Sequence, residues 1–438
     1  MAAASSWGRY PRVDEDRRLV SWEGDVRAAL ASRRPLLARG LGRSYGDSCL
    51  NEGGTVIELA GMDRFLAFDA THGLLSCEAG ASLDDVIAFA LPRGWFPAVV
   101  PGTRFVTVGG CIANDVHGKN HHRAGTFGRH VRALTLLRSD GTTHECSPMA
   151  EPSLFAATVA GLGLTGIVTR ATLALRPLRS ARMEVESLPF ADLDGFFELE
   201  AASAESWEHT VAWVDCLHPR MAGRGIFSRA RFLERSDGSL GEPWGRGPRT
   251  VPCDLPEAAL SPFTVKAFNA AYWKLHPRGR RIEAAEKFLF PLDALGHWNR
   301  IYGRRGFVQF QCVVPGARAR DWIAQLIEAI RTKGDGSFLS VLKTFGELPS
   351  PGLLSFPRPG VTFALDFPFR GDRTLALMKE LEEIVIDAGG ALYPAKDACM
   401  SPRAFGASFT RLGEFEPWID PAFSSSFWRR VHAAPRAA

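Results

Sequence analysis

The chain has 438 residues, 46% of them hydrophobic and 23% charged, with a net charge of +4 and a pI near 8.7. That length exceeds one ordinary core and predicts two domains. The balance is that of a soluble globular protein, and without a long basic run it excludes a nucleic-acid footprint. No apolar run approaches the roughly 20 residues a membrane helix requires, while a peripheral membrane contact is compatible with the composition. The N-terminus, Met1-Ala-Ala-Ala-Ser-Ser-Trp-Gly-Arg-Tyr, lacks a basic region followed by an apolar core. A secretion signal is therefore not expected, and a cytoplasmic location is. The eight cysteines form no C-x-x-C pair and are widely spaced, so reduced thiols are expected rather than a zinc or disulfide framework.

In chain order, residues 13–34 read as a short helical segment with a basic end. Pro35 to Asp47 runs from a strand into a glycine-rich turn, and Thr55–Leu59 and Leu74–Ala79 read as strands. Ser82-Leu-Asp-Asp is a capping box for a helix over Val86–Leu91, stopped by Pro92 and Gly94. The stretch from Val100 to Gly128 then holds Gly102, Gly109, Gly110, Gly118, Gly125 and Gly128 among small, apolar and histidine side chains. Glycines this dense let backbone approach a flat or charged ligand and offer it N–H groups. Ala133–Cys146 predicts a hairpin turning at Asp140-Gly141, Ser153–Ala160 a helix, and Gly166–Leu175 a strand. The boundary falls at Leu175–Ala181. Beyond it aromatics gather at Trp207, Trp213, Trp244, Trp273, Trp298 and Trp322. Residues 236–256, rich in Gly and Pro, suggest a mobile loop or lid. Strands are expected at Phe307–Pro315 and Val361–Phe367, and helices at Trp322–Lys333 and Arg373–Ala388.

Some motif matches mislead. Gly161-Leu-Gly-Leu-Thr-Gly166 fits G-x-G-x-x-G, but a dinucleotide fold needs a strand before it and a helix after, and here the order is reversed. Gly42-Arg-Ser-Tyr-Gly46 fits G-x-S-x-G, yet the next residues, Asp47-Ser-Cys-Leu-Asn-Glu-Gly-Gly, do not launch the helix a nucleophile elbow requires. His117, His121 and His122 are interrupted by Gly118 and Asn120, which breaks helical ligand spacing, so no metal is expected. What remains is three glycine-rich turns, at 38–48, 101–128 and 161–168, suited to an elongated, phosphate-bearing cofactor.

Arg39-Gly-Leu-Gly-Arg-Ser-Tyr-Gly-Asp, Pro101-Gly-Thr, Gly109-Gly110, Asn114-Asp-Val-His-Gly-Lys-Asn-His-His and Gly161-Leu-Gly-Leu-Thr-Gly-Ile-Val resemble the FAD-binding domain of vanillyl-alcohol-oxidase-type (PCMH-type) flavoproteins. With Gly306-Phe-Val-Gln-Phe-Gln, Leu354-Ser-Phe-Pro-Arg-Pro-Gly, Asp366-Phe-Pro and Gly389-Gly-Ala-Leu-Tyr-Pro-Ala-Lys-Asp, the chain is similar, from about Trp7 onward, to the flavin subunits of the decaprenylphosphoryl-β-D-ribose 2′-oxidase (epimerase) family.

The resemblance implies an α+β fold. Residues 1–178 would be a two-part FAD-binding domain, 179–390 a substrate cap on an antiparallel sheet, and 391–438 a segment returning to the flavin. FAD would be lined by Arg39, Gly40, Leu41, Gly42, Arg43, Ser44, Tyr45, Gly46, Gly102, Thr107, Val108, Gly109, Gly110, Asn114, Asp115, His117, Gly118, Ile167 or Val168, and Tyr393. Where covalent members of the type carry a histidine after the R-G-x-G turn, Arg43 stands here, so FAD should be held noncovalently.

The implied reaction gives hydride to the flavin and the hydroxyl proton to a base, with positive charge near the reduced ring. Lys396 suits that electrostatic role and can hold the sugar hydroxyls; its bland alternative is a surface ion pair with Asp397. His117 is a candidate base or flavin-edge donor, or else a structural histidine. Tyr393 and Tyr45 are candidate donors, and Lys119 is a candidate phosphate contact. Gln309 and Gln311, two apart on a strand, face one side and could read sugar hydroxyls.

The chain departs from its resemblance at two places. Ala364 stands where a substrate-side cysteine is expected, and Leu289-Phe290 replaces a tyrosine before Pro291-Leu-Asp. The expected reaction is oxidation of a polyprenylphosphoryl pentose at its 2-hydroxyl. A separate NAD(P)H-dependent keto-reductase would complete the epimerisation, and the lipid would draw the enzyme to the inner membrane face. The competing readings are an oxidase of a soluble sugar, alditol or aldonolactone, a non-catalytic flavin- or carbohydrate-binding module, and a hydrolase with a reactive Ser44 and no FAD.

Overall fold

The computed structural model describes residues 3–218, 223–245, 247, 249–333 and 336–432. Three sheets organise them. In the smallest, strands Asp16–Leu19, Thr55–Glu58 and Leu36–Arg39 run parallel, with Thr55–Glu58 in the middle. The middle strand is almost wholly buried, which is why it reads as an apolar run. Its partner Asp16–Leu19 corrects the helix expected over 13–34. There the chain forms this strand first and a helix only over Glu23–Ala29. Asp16-Arg-Arg-Leu carries no apolar periodicity because it is a solvated edge strand, held by backbone pairing that side chains do not advertise.

The second sheet runs in the order Thr143–Cys146, Val131–Leu137, Ile167–Pro177, Leu74–Glu78, Phe65–Asp69, antiparallel throughout. Its helices stand where the sequence placed them. Ser82 accepts the N–H of Asp85 at 3.1 Å to open Leu83–Ala90, and Pro152–Thr158 precedes the third glycine turn.

The third sheet has eight strands, all antiparallel, in the order Gly279–Ala284, Arg182–Phe190, Arg224–Phe232, His209–Asp215, Ser340–Phe345, Gly360–Pro368, Phe307–Val314, Ala391–Leu392. Helices Leu193–Ala201, Ala319–Lys333 and Asp372–Asp387 cover one face, where Val308, Phe310, Cys312, Leu342, Phe363 and Leu365 join the largest apolar cluster. Strand alternation turns Gln309, Gln311, Val341, Lys343 and Ala364 to the opposite face, where a cavity lies. The whole is α+β.

Two features bind the layers. Arg430 donates to both Asp47 (2.6 Å) and Asp397 (2.9 Å), clamping the C-terminal helix Ser426–Val431 to the turns on either side of the cavity. Residues 236–256 are pinned at several points among those described: Ser239 accepts the N–H of Ala181 at 2.8 Å, Trp244 packs on Phe96 and Phe290, Arg182 donates to Glu242 at 2.9 Å, and Arg300 donates to the Val251 carbonyl at 2.8 Å. Arg249–Thr250 pairs with Leu295–Gly296, while 246 and 248 lie outside the described residues.

Candidate active site

The cavity, about 310 Å³, lies where all three glycine-rich turns meet the free face of the eight-stranded sheet. The first turn follows strand Leu36–Arg39 and bends at Gly42, whose φ of 61° lies in the left-handed region. Across this bend Leu41, Gly42, Arg43 and Ser44 donate their N–H groups to no protein acceptor among the described residues, whereas Tyr45 N–H is bound to Ala395 O at 2.9 Å. Four free donors around a left-handed bend make a concave anion nest. Side-chain charges here are already placed: Arg39 pairs with buried Glu15 at 3.2 Å, and Arg43 lies 4.1 Å over the Trp7 ring.

The second turn caps the short helix Val108–Ala113, where Thr107 accepts the N–H of Gly110 at 3.2 Å. The N–H groups of Val108 and Gly109 are spent on Ala81 O (2.9 Å) and Ala79 O (2.7 Å), so this turn offers shape more than donors. That shape needs glycine: a Cβ at Gly40 would collide with Thr107 Oγ1. The third turn is tied to it by Ala160 N–H to Ile112 O and Leu162 N–H to Ala113 O, both 2.9 Å. Ala160 and Leu162 carry φ of 62° and 55°, a strained geometry that their packing holds.

Lys396, Lys343, His117, Gln309, Gln311 and Tyr393 share the wall. Lys396 Nζ lies 3.7 Å over the Tyr45 ring, and burial pulls its pKa below the ordinary lysine value against the opposing pull of Asp366. The alternative reading of Lys396, a surface ion pair with Asp397, is not what the structure shows: Asp397 accepts from the N–H groups of Cys399 and Met400 and from Arg430. Asp366 stands behind the wall, 1% exposed, accepting from Gln309 Nε2 and, at 3.5 Å, from Tyr302 OH. Burial raises its pKa. Lys343 donates to Gly118 O at 3.3 Å, and burial, reinforced by Lys396, lowers it to about 7.

His117 is buried, which depresses its pKa well below the usual value, with Lys343 adding to the effect. Its Nε2 accepts from Gln311 Nε2 at 3.0 Å, while Nδ1 has no protein partner. As the amide stands, a neutral ring therefore carries its proton on Nδ1, a donor rather than a base. The Tyr393 hydroxyl donates to Asn114 O at 3.0 Å and its ring stacks on Phe356, so its proton is committed to holding the turn.

Of the residues singled out from sequence, six stand outside the wall. Gly46 packs against the Asp397 carbonyl, and Val108 and Ile167 are core. Asp115 accepts from Gly128 N–H and from the Ser350 and Ser355 hydroxyls, clamping the long turn to 350–355. Gly118 lies behind the wall, its carbonyl accepting from Lys343. Lys119 is no phosphate contact, since its Nζ donates to Phe288 O (2.6 Å) and Leu289 O (2.8 Å), and burial lowers it to about 7. The remaining residues named line the cavity. Missed from sequence were Trp7, Trp298, Lys343 and the supporting Asp366. Lys343 had a signal, being two residues from Val341 on one face of a short strand.

Residues 25–147 match the family model of the FAD binding domain. The chain is 36% identical to the decaprenylphosphoryl-beta-D-ribose oxidase of Mycolicibacterium smegmatis, over 93% of this chain and 91% of that protein. It is 32% identical to an uncharacterized protein in the mprA 5′ region of Streptomyces coelicolor, over 80% of this chain and 99% of that one. With the L-gulonolactone oxidase of Mus musculus it shares 32% identity over 35% of this chain and 36% of the other.

Proposed function

The chain belongs to the family of the decaprenylphosphoryl-β-D-ribose oxidases, FAD-linked enzymes of the vanillyl-alcohol-oxidase type, and on that premise we propose that it oxidises the 2-hydroxyl of a polyprenylphosphoryl pentose to the 2-keto sugar. It is an FAD-dependent oxidoreductase acting on a CH–OH donor. The residues fit the cofactor: the nest at Leu41–Ser44 suits its phosphates, and the unpartnered Nδ1 of His117 is a donor in want of an acceptor. We take 1–178 as the part that holds FAD and the eight-stranded sheet as the substrate cap.

The observation that carries the reading is Lys396, half-buried in the cavity wall with Asp366 set behind it. FAD held here would supply the hydride acceptor. Lys396, its pKa lowered by burial, holds the 2-hydroxyl and takes its proton at Nζ, and the Asp366 carboxylate stabilises the ammonium that forms. Gln309 and Tyr302 keep that carboxylate oriented. Lys343, whose pKa burial and Lys396 lower to about 7, shares the wall and in its ammonium form lends the positive charge that flavin reduction calls for. Gln311 holds His117 in its neutral tautomer. The 2-keto product requires a separate NAD(P)H-dependent reductase to complete an epimerisation, and the protein's place is the cytoplasm, at the membrane carrying the lipid.

The test is anaerobic mixing with polyprenylphosphoryl ribose, following the oxidised-flavin absorbance. Bleaching that disappears in Lys396→Met, with FAD still bound, supports the reaction and the site. A yellow protein bleached by free alditols or lactones and not by the ribose lipid would move the assignment to the soluble-sugar oxidases. A protein that takes up no FAD would overturn it.

A further inference from the structure

Helix Pro262–Leu275 presents an unusual face. Its inner side buries Val265 and Asn269, Asn269 Nδ2 donating to Asp215 Oδ1 at 3.0 Å, and the Tyr272 ring packs at a tilt against Trp213. Helical spacing sets Phe263, Ala267, Ala270, Ala271 and Leu275 along the outer side, and all of them are exposed. Phe263 is 79% and Leu275 75% exposed. Of the ten large apolar side chains most exposed among the described residues, three (Phe263, Phe268 and Leu275) fall on this one helix. A solvated helix face ordinarily carries carboxylates and hydroxyls. Here the only charged side chains on the outer side are Lys266 and Lys274, unpaired with any carboxylate among the described residues, and the one hydroxyl, Thr264, donates to the Ala259 carbonyl. From Ser261 to Ile282 the chain holds Lys266, Lys274, Arg278, Arg280 and Arg281 and not one Asp or Glu. Apolar groups flanked by unpaired lysines match one kind of partner, an anionic lipid surface, into which the rings and leucine insert while the ammonium groups meet the phosphates.

The helix is also joined to the cavity. Phe268 packs edge-on against Phe338 at 5.4 Å, Phe338 stacks on Tyr302 at 5.6 Å, and Tyr302 lies in the aromatic cluster with Tyr45 and Trp298 of the cavity wall. An unbroken run of aromatic side chains thus leads from the exposed helix to the site.

We propose that helix Pro262–Leu275 is a membrane-docking element that seats this face in the headgroup layer of an anionic bilayer. The inference goes beyond the proposed reaction and holds whatever sugar is oxidised; only one consequence rests on that reading, namely that docking brings the cavity to a substrate whose prenyl chain stays in the lipid.

The test is co-sedimentation of the FAD-loaded protein with phosphatidylglycerol vesicles, and with phosphatidylcholine vesicles as the neutral surface, at low and high salt and without sugar. Binding to the anionic vesicles, weakened by salt, is expected. Lys266→Ala and Lys274→Ala should each weaken it about fivefold. Phe263→Glu with Leu275→Glu should reduce it to background, with flavin content and melting temperature unchanged because both side chains are exposed. No binding to either vesicle, or equal binding by the double variant, would overturn the proposal. So would self-association in the absence of lipid that the double variant abolishes, which would make the face an interface between copies of this chain. Because no sugar is present, failure here leaves the oxidation untouched, and failure of the oxidation leaves this result standing.

Discussion

Replacing Asp366 by Asn removes one charge from behind Lys396 and little else. Asn is the same size, its oxygen can still accept from Gln309, and its amide can donate to Tyr302. Lys396 feels two opposed influences: burial, which lowers its pKa, and the Asp366 carboxylate, which raises it. With the second gone, the first acts alone. For a buried group, loss of a neighbouring opposite charge is worth about one to three pH units. Lys396 must be neutral to accept the hydroxyl proton, so the rate rises with pH through its pKa. The acid limb of the pH profile should therefore move down by about one to three units in Asp366→Asn. The plateau should fall about tenfold or more, because the ammonium formed on proton transfer has lost its counter-charge. The assay is single-turnover bleaching of bound flavin by polyprenylphosphoryl ribose, anaerobically, between pH 5.5 and 9.5, with FAD content measured for each sample. A limb that stays put or moves to higher pH in a flavin-loaded variant would refute the pairing of these two residues.

The same geometry sets three further outcomes. Acid precipitation should release all of the flavin and leave a colourless pellet, since Arg43, stacked on Trp7, replaces the residue that would attach it; flavin retained in the washed pellet would count against noncovalent binding. Gly40→Ala, whose Cβ would meet Thr107, should lose about 1–3 kcal/mol in urea unfolding and bind FAD weakly. Arg430→Gln leaves Asp47 and Asp397 without their cation and should cost about 3 kcal/mol at neutral pH. Arg430 lowers the Asp397 pKa, so in its absence that carboxyl titrates higher. The deficit should then shrink as the pH falls and the Asp397 carboxylate takes up its proton, and a deficit independent of pH would show that this ion pair is not its source.

Much of this protein was legible in its residues. Local chemistry decides where a capping serine opens a helix or a glycine permits a left-handed bend, so the turns at 38–48 and 101–128 and the helix after Ser82 stood where the sequence placed them. Strand alternation put Gln309 and Gln311 on one face and into one cavity. The edge strand Asp16–Leu19 was hidden because backbone pairing holds it and its side chains are solvated. The chain neighbours of Lys119, in His117-Gly-Lys-Asn-His-His, and of Lys343, in Ser340-Val-Leu-Lys-Thr-Phe, do not say which of the two reaches the cavity. Only the packing sends one to the carbonyls of Phe288 and Leu289 and the other into the cavity wall. Asp366 reads as part of a strand until the fold sets it behind Lys396. Periodicity and turn chemistry are properties of neighbours in the chain, whereas the protonation of a buried lysine depends on partners about thirty residues away, and no local pattern encodes that meeting.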